Sequence, residues 1–197
     1  MIAGIILAAG RGERFGGAKL LARLPSGITI LETTVVAMTA ALPSVTLVVR
    51  RDTALMTLAE QICRASGALL VVNENADDGM ATSIACGVGA TVGATVGANV
   101  RGWLIALADM PYVQSATVSL VASQITKATT IVVPSFEEQR GHPVGFGLRY
   151  FAELQQLSGD SGARAIVQRH PEHVRLLAVD DRGIVTDIDT PADLGGL

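Results

Sequence analysis

Seven short apolar runs alternate with longer segments of helical period along this chain of 197 residues. The runs are rich in Val, Ile and Leu, and most are apolar at consecutive positions rather than at alternate ones. Parallel strands buried between two layers of helices have this composition. The alternation favours one α/β domain of three layers, with a doubly wound, mostly parallel sheet. We predict strands at Ile2–Ala8, Val45–Val49, Leu69–Val72, Trp103–Ala108, Thr130–Val133, Val174–Val179 and Ile184–Ile188.

The segments between these runs carry apolar residues near a helical spacing. They predict helices at Ile28–Ala41, Ala54–Ser66, Ala116–Ile125, Arg149–Leu157 and Gly162–His170. The chain is less regular around Val132–Phe146, where we expect an antiparallel excursion of the sheet. A repeat, VGATVGATVGANV, spans Val88–Val100 and predicts a helix with a frayed C-terminal part, because glycine costs about 1 kcal/mol per helix position. We assign this repeat no function.

Composition and charge exclude several classes of partner. A net charge of −3, with 49% hydrophobic and 17% charged residues, fits a globular chain without a nucleic-acid or membrane partner. Gly79–Val100 lacks charge, but its many Gly, Ala and Thr residues make it too weakly apolar for a membrane span. No basic residue precedes the apolar start, so no signal peptide is predicted. Cys63 and Cys86 lie outside any CxxC pattern, which predicts reduced thiols in a cytoplasmic protein.

A glycine-rich loop, LAAGRGERFGGAK, follows the first predicted strand and ends at Lys19. It lacks the GK[ST] ending of a P-loop. Its glycine spacing is one residue too long for a dinucleotide fingerprint, and the second predicted strand runs into Arg50 and Arg51 instead of an acidic residue. The glycines allow backbone N–H groups to approach an anion, and Arg14 and Lys19 can hold different phosphates of one polyphosphate. The alternative is a solvated charged loop.

Two aspartate motifs suggest a metal site. In LADMP, a predicted strand ends in Asp109, where a carboxylate can bind Mg²⁺ together with the phosphates of a nucleotide. In VTDIDTPADL, Asp187 and Asp189 are two apart on a predicted strand and therefore point the same way. Thr190 is then the predicted N-cap of a short helix that begins at Pro191. The alternatives are a turn aspartate at Asp109 and screened surface charges in the second motif.

These motifs together resemble one family. LAAGxGxRFGxxK, LADMP and DIDTPAD, in this order, resemble the small nucleotidyltransferases that activate the molybdenum cofactor. The segment GMATSIACG resembles the second nucleotide-contacting segment of that family. The segments GHPVGF and GDSGAR resemble the cofactor-binding half of molybdenum cofactor cytidylyltransferases. The first motif is shared by many nucleotidyltransferases, whereas the last two are much more specific.

The resemblance implies a Rossmann-like nucleotidyltransferase fold over residues 1–197, with a nucleotide-binding half at 1–110 and an acceptor-binding half at 111–197. It implies that the terminal phosphate of molybdopterin attacks the α-phosphate of CTP and that pyrophosphate leaves, without a covalent enzyme intermediate. Mg²⁺ or Mn²⁺ is the implied cofactor. CTP and the molybdopterin cofactor are the implied partners, and a molybdenum hydroxylase is a candidate recipient.

The same resemblance implies residue roles. Arg14 and Lys19 neutralise phosphates, and Asp109 binds the metal with Asp189 or Asp187 as the second carboxylate. The residues expected to contact the nucleotide are Leu7, Ala8, Ala9, Gly10, Gly12, Asn73, Gly79, Met80 and Ser83. The residues expected to contact the acceptor are His142, Pro143, Asp160 and Arg164. Without the resemblance, His142 is more simply a turn histidine held by Pro143.

The choice of base is less strongly indicated. Cytidylyl enzymes of this family typically have LAAG and guanylyl enzymes LAGG, so Ala9 favours CTP. A methyl group there crowds a purine more than a pyrimidine, an effect of about 1–3 kcal/mol. Gly12 stands where relatives often have Ser, which removes one hydroxyl contact. The alternatives are a GTP-dependent enzyme, a transferase for a sugar-phosphate or alcohol-phosphate acceptor, a non-catalytic cofactor carrier, and a redox enzyme.

Overall fold

The computed structural model describes residues 1–10, 15, 18–51, 53–93, 99–159 and 162–195. Within these residues, eight strands form a single sheet, in which β3, β2, β1, β4, β7, β5 and β6 are successive neighbours and β8 pairs with β5. The strands are β1 (Ile2–Ala8), β2 (Val45–Val49), β3 (Leu69–Val72), β4 (Gly102–Leu107), β5 (Ile131–Phe136), β6 (Gln139–Arg140), β7 (Val144–Gly147) and β8 (Val174–Ala178). This topology confirms the predicted doubly wound α/β domain.

Parallel pairing dominates the sheet. Strand β1 lies between β2 and β4 and is parallel to both, so that Ile6 stands beside Leu47 on one side and Ala106 on the other. Strand β7 is antiparallel to both β4 and β5, while β5 and β8 are parallel. The predicted antiparallel excursion is therefore confirmed. The carboxyl ends of β1, β2, β3 and β4 meet at one edge of the sheet.

Helices cover both faces of the sheet. The helices are α1 (Ile30–Ala41), α2 (Thr53–Ser66), α3 (Met80–Gly93), α4 (Ser115–Ser123), α5 (Phe151–Gln155) and α6 (Arg164–Arg169). One core cluster joins α1, α2 and α4 to the sheet, and a second joins α3, α5 and α6 to its other face. Strand β1 is buried along its whole length because alternate side chains, such as Ile5 and Ile6, enter the two clusters. The three predicted layers are confirmed.

The last predicted strand is wrong. Residues Arg182–Val185 form a short 3₁₀ helix rather than part of a strand at Ile184–Ile188. The carboxylate of Asp181 accepts the N–H groups of Gly183 and Gln114, both at 3.0 Å, which stabilises this turn. Apolar residues alone predicted a strand here, but the capping carboxylate and tight packing favour the turn.

Other boundaries differ by smaller amounts. The predicted helix at Arg149–Leu157 is a 3₁₀ turn at Leu148–Tyr150 followed by α5. Helix α3 extends through the first part of the valine and glycine repeat and ends at Gly93, and residues 94–98 of the repeat lie outside the described residues. Among the described helices, none has both the length and the apolar character that crossing a membrane requires.

Candidate active site

A cleft of about 690 Å³ lies at the carboxyl ends of β1, β2 and β4. Open α/β sheets bind ligands at this edge, and the volume lies in the range of small-molecule sites. Lys19 and Asp109 line the cleft, so the glycine-rich loop and the LADMP motif meet in space. Of the predicted nucleotide-binding residues, those that line the cleft are Leu7, Ala8, Ala9, Gly10, Gly79, Met80 and Ser83.

Lys19 joins two motifs that are far apart in the sequence. Its Nζ donates to Asp109 Oδ2 at 2.8 Å and to Asp189 Oδ1 at 3.1 Å. Burial alone would lower the pKa of Lys19, but hydrogen bonds and charge from Asp109, and then from Asp189, outweigh burial and raise it. The ammonium group therefore stays charged at neutral pH and holds the two carboxylates at one point of the cleft.

Backbone contacts place these carboxylates. The Ile188 N–H donates to the Asp109 carbonyl at 2.9 Å, which ties the chain before Asp189 to the end of β4. The Thr34 hydroxyl in α1 lies 3.0 Å from the Ala108 carbonyl, to which it donates. The two aspartates therefore lie at the same end of β4, although 80 residues separate them in the sequence.

The donor set fits a hard divalent cation. Asp109 Oδ1 is buried and has no hydrogen-bond partner among the described residues, so one carboxylate oxygen lacks the partner that burial requires. Asp189 supplies a second carboxylate at the same lysine. Carboxylate oxygens are the ligands that Mg²⁺ and Mn²⁺ prefer. Asp109 and Asp189 are therefore the residues that could hold such a metal.

The structure places Asp187 differently from the prediction that it lies on a strand with Asp189. The segment is not a strand, so the argument that Asp187 and Asp189 share a strand face is wrong. Asp187 is exposed, whereas Ile188 is buried in a small cluster with Ile30. The predicted short helix does begin at Pro191, directly after Thr190, and is a 3₁₀ helix. The Thr190 carbonyl accepts the N–H of Asp193 at 3.1 Å, while the Thr190 hydroxyl donates to Asp193 Oδ2 at 2.9 Å.

Asn73 supports the wall of the cleft from behind. Its side chain is buried, and Nδ2 donates to the hydroxyls of Thr82 and Ser83 at 2.9 and 3.0 Å. Its Oδ1 accepts the N–H of Asn75 at 3.0 Å. Asn73 is not among the residues that line the cleft, and it fixes the turn that leads into α3 rather than facing a ligand there.

Sequence reasoning missed a basic pair at the cleft. Arg50 and Arg51 follow β2 directly and line the cleft. Arg50 forms an ion pair with Asp77 at 2.9 Å, and Arg51 pairs with both carboxylate oxygens of Glu74. The sequence indicates this pair, because two arginines follow a predicted parallel strand at its carboxyl end, where open α/β sheets bind ligands. In the sequence analysis the two arginines serve only to exclude a dinucleotide site.

The predicted acceptor residues do not all lie in the cleft. His142 and Pro143 line a separate cavity of about 10 Å³ beneath the end of β4. Burial lowers the pKa of His142, against the opposing effects of a backbone hydrogen bond with Ile105 and the charge of Asp109. His142 Nδ1 is buried without a hydrogen-bond partner in the described part of the chain. His142 thus lies behind Asp109 rather than in the open cleft.

The GDSGAR segment lies beside the GMATSIACG segment. The Gly159 carbonyl accepts the N–H of Ala81 at 3.1 Å, at the start of α3. A Cβ at Gly162 would lie 3.4 Å from the sulfur of Met80, which lines the cleft. Arg164 is exposed at the first position of α6. Three further predicted site residues lie outside the described residues, namely Gly12, Arg14 and Asp160.

Comparison with known proteins agrees with this geometry. The model of the MobA-like NTP transferase domain matches residues 4–174. The chain belongs to this family. This MobA-like protein is 30% identical to Rv0371c from Mycobacterium tuberculosis, with a TM-score of 0.78 and full coverage of both chains. A comparison with curated proteins finds no match.

Two further solved structures share the fold. A nucleotidyl transferase from Methanothermobacter has a TM-score of 0.78 and 21% identity, covering 98% of this chain and 94% of its own. Molybdopterin-guanine dinucleotide biosynthesis protein A from Archaeoglobus fulgidus has a TM-score of 0.66 and 16% identity, covering 98% and 95%. Rv0371c has also been solved with manganese. This MobA-like protein is therefore a member of a nucleotidyltransferase family.

Proposed function

We propose that this MobA-like protein transfers CMP from CTP to the terminal phosphate of the molybdopterin cofactor and releases pyrophosphate. The observation that carries the proposal is the meeting of Lys19, Asp109 and Asp189 at the cleft that Ala8–Gly10 lines. A phosphate-binding loop, a buried cation and two carboxylates at one point form a site for a triphosphate and its metal. A carrier of finished cofactor needs no such set.

The proposed division of labour follows the cleft. Residues 1–110 bind the nucleotide, and residues 111–197 bind the acceptor. The GDSGAR segment supports this assignment, because the Gly159 carbonyl accepts the Ala81 N–H at the start of α3, beside Met80. An acceptor held there by Asp160 and Arg164 meets the nucleotide at the cleft. His142 and Pro143 support the floor from below, since their cavity lies under the end of β4.

The reaction is an in-line displacement at the α-phosphorus. A terminal phosphate oxygen of molybdopterin forms the new P–O bond, the bond to the β-phosphate breaks, and the electron pair leaves with pyrophosphate. Lys19 stays protonated and stabilises the charge that accumulates on the departing phosphates. Arg14, on the same loop in the sequence, contributes a second positive charge. Backbone N–H groups of Ala8–Gly10 orient the nucleotide.

Asp109 and Asp189 hold Mg²⁺ or Mn²⁺ in this proposal. The metal, when bound, supplies Lewis-acid neutralisation of the phosphate oxygens and a template for their orientation. The orphaned Oδ1 of Asp109 supports this role, because it is a buried acceptor without a donor among the described residues. Asp109 and Asp189 would hold the cation, and Lys19 beside them would neutralise the phosphates.

Ala9 supports CTP as the donor. It is buried at the rim of the cleft, where its methyl group reduces the room for a base. The discrimination expected from one methyl group is about 1–3 kcal/mol, or about 10–200-fold. GTP is the second candidate donor, since the Archaeoglobus neighbour is named as a molybdopterin-guanine dinucleotide protein. Replacement of Ala9 by Gly should narrow the preference for CTP.

The first test is pyrophosphate release from CTP, GTP, ATP and UTP, each with Mg²⁺, in the presence and absence of molybdopterin. We expect release from CTP only when molybdopterin is present. Asp109→Asn should reduce turnover by about 10²–10³-fold, the scale for loss of one transition-state contact. Asp180→Asn is the matched control, because Asp180 is exposed and lies outside the cleft.

Each other outcome points elsewhere. Release from GTP alone overturns the assignment of the base and keeps the site. Release with a sugar phosphate but not with molybdopterin overturns the acceptor. Molybdopterin binding without consumption of any nucleotide favours the carrier. Full turnover in Asp109→Asn refutes the proposed role of the carboxylate.

A further inference from the structure

A second cluster of polar side chains lies far from the cleft. It comprises His170, Glu172 and His173, with Glu153 and Tyr150 packed beside them. His173 immediately precedes β8, and Tyr150 donates to the carbonyl of a residue just before β5. These are the amino ends of two parallel strands, so the cluster occupies the edge of the sheet opposite the cleft.

One turn of chain brings the two histidines together. His170 follows the last residue of α6, and Pro171–His173 forms a 3₁₀ helix in which the His173 N–H donates to the His170 carbonyl at 3.0 Å. Side chains three residues apart eclipse each other in a 3₁₀ helix. The two imidazole rings are therefore stacked, with centroids 5.9 Å apart and an interplanar angle of 18°.

Hydrogen bonds place both rings. His170 Nε2 lies 3.0 and 3.1 Å from the two oxygens of Glu153, so this nitrogen carries a proton that it donates to the carboxylate. His173 Nδ1 lies 3.5 Å from Glu172 Oε1 and 2.8 Å from the Tyr150 hydroxyl, whose single proton has the Thr129 carbonyl at 2.9 Å as an alternative acceptor. A neutral imidazole ring has one unprotonated nitrogen, which is the form that binds a metal.

We propose that His170, Glu172 and His173 bind one transition-metal ion of the zinc type. Their ligand atoms all lie within 4.8 Å of one another, and Glu172 is exposed, so its carboxylate can close on an ion that arrives from solvent. The contact of Glu153 with His170 is the carboxylate–histidine pair that orients a ligand ring. Two nitrogens and one carboxylate oxygen leave a fourth tetrahedral position for water.

The chemistry of this cluster differs from that of the cleft. Imidazole nitrogens favour Zn²⁺, Co²⁺, Ni²⁺ and Cu²⁺, whereas the aspartate pair of the cleft favours Mg²⁺ and Mn²⁺. Glu153 and Glu172 are the carboxylates of this region; Arg169 pairs with Glu153 at 2.5 Å, and Arg149 lies near Tyr150. The exposed Glu172 carboxylate supplies the negative charge for a divalent cation.

The test is a Zn²⁺ titration of the full chain after chelator treatment, with a chromogenic chelator as competitor. Asp109→Asn is the background, so that the carboxylate site of the cleft does not contribute. We expect one Zn²⁺ per chain with a Kd below about 10 μM, and at least tenfold weaker binding in His170→Gln and in His173→Gln. Glu60→Gln, on the exposed side of α2, is the control and should retain full affinity.

A spectroscopic readout separates coordination from packing. Co²⁺ bound to the protein should give visible absorption bands of a low-symmetry site, and these bands should disappear in the double histidine variant. Glu172→Gln is a second variant that should fold normally, because the Glu172 side chain is 61% exposed. It should also weaken Zn²⁺ binding about tenfold.

Four results would overturn the site. Three are full Zn²⁺ affinity in the double histidine variant, full affinity in Glu172→Gln, and loss of the bound Zn²⁺ on going from the parent chain to Asp109→Asn. The fourth is a chain that binds no Zn²⁺ at 100 μM, which would show that the histidines only pack against Tyr150 at the edge of the core.

Discussion

The replacement Lys19→Met tests the central ion pair of the proposed site. It removes the ammonium group but keeps a flexible apolar stem of similar length. The Lys19 side chain is 11% exposed, and those of Asp109 and Asp189 are 25% and 36% exposed. The variant therefore leaves two partly desolvated carboxylates at one point without the cation that separates them.

The expected loss of stability follows from these contacts. A hydrogen bond to a charged group contributes about 1.5–3 kcal/mol when buried, and solvent screening reduces the contribution of exposed pairs to about 0–1 kcal/mol. The Asp109 contact is the shorter and more buried of the two, so we assign it about 1.5 kcal/mol and the Asp189 contact about 0.5 kcal/mol. The total of about 2 kcal/mol lowers the Tm by about 4–8 °C for a domain of this size.

The assay is urea unfolding of Lys19→Met beside Lys127→Met. The control replaces the other lysine of the chain, whose side chain is exposed, and should change stability by less than about 0.5 kcal/mol. Mn²⁺ should stabilise Lys19→Met more than the parent chain, because the ion no longer competes with an ammonium group for Asp109 and Asp189. An increase of about tenfold in Mn²⁺ affinity corresponds to about 1.4 kcal/mol. The kcat should fall by about 10²–10³-fold, since the variant lacks a charge at the phosphates.

Two results would refute this reasoning. Equal stability of Lys19→Met and Lys127→Met would show that the ion pair contributes nothing to the folded state. Equal or weaker Mn²⁺ binding in Lys19→Met would show that the two carboxylates do not form the metal site. Either result would remove the physical basis for the proposed catalytic geometry.

Three further predictions concern the fold. Gly183→Ala should destabilise the protein by about 3 kcal/mol in urea unfolding, because its Cβ would lie 2.1 Å from a backbone carbonyl oxygen, while Gly195→Ala meets nothing within 4 Å and should be neutral. Thr91→Val removes the acceptor of the buried Trp103 indole N–H at 2.9 Å and should cost about 1–3 kcal/mol, while the emission of the single tryptophan reports any opening. Burial raises the pKa of the Cys63 thiol, so less thiolate forms at pH 7.5. Alkylation of Cys63, followed by mass spectrometry, should therefore be slow until urea unfolds the chain. Rapid labelling of Cys63 in the native state would contradict its burial.

Local sequence patterns sufficed to predict the first three strands of the sheet. The predicted bounds of β1, β2 and β3 agree with the structure at every residue. These strands are apolar on both faces because helices cover both sides of the sheet, and that burial is visible in the sequence itself. The antiparallel excursion was also predicted, since the irregular stretch after β5 departs from the alternation of strands and helices.

Sequence patterns failed where a tertiary partner decided the conformation. Ile184–Ile188 has the composition of a strand, yet Gly183 packs against backbone and the Asp181 carboxylate caps a 3₁₀ turn. Asn73 was expected in the cleft, but its hydrogen bonds to Thr82 and Ser83 turn it inward. The hydrogen bonds of Asp181 to Gln114 and of Asn73 to Thr82 and Ser83 join residues that no local period relates.

The sequence by itself determined the class of the fold and the kinds of group that the site contains. Apolar runs, a glycine-rich loop and strand-ending aspartates are local features, and the resemblance of the motifs named the family that the domain match confirms. Only the tertiary structure decided which groups meet. Lys19, Asp109 and Asp189 come from three distant segments, and His170 acquires Glu153 as a neighbour only when the chain folds. Such convergence depends on packing and topology, which local periodicity does not encode.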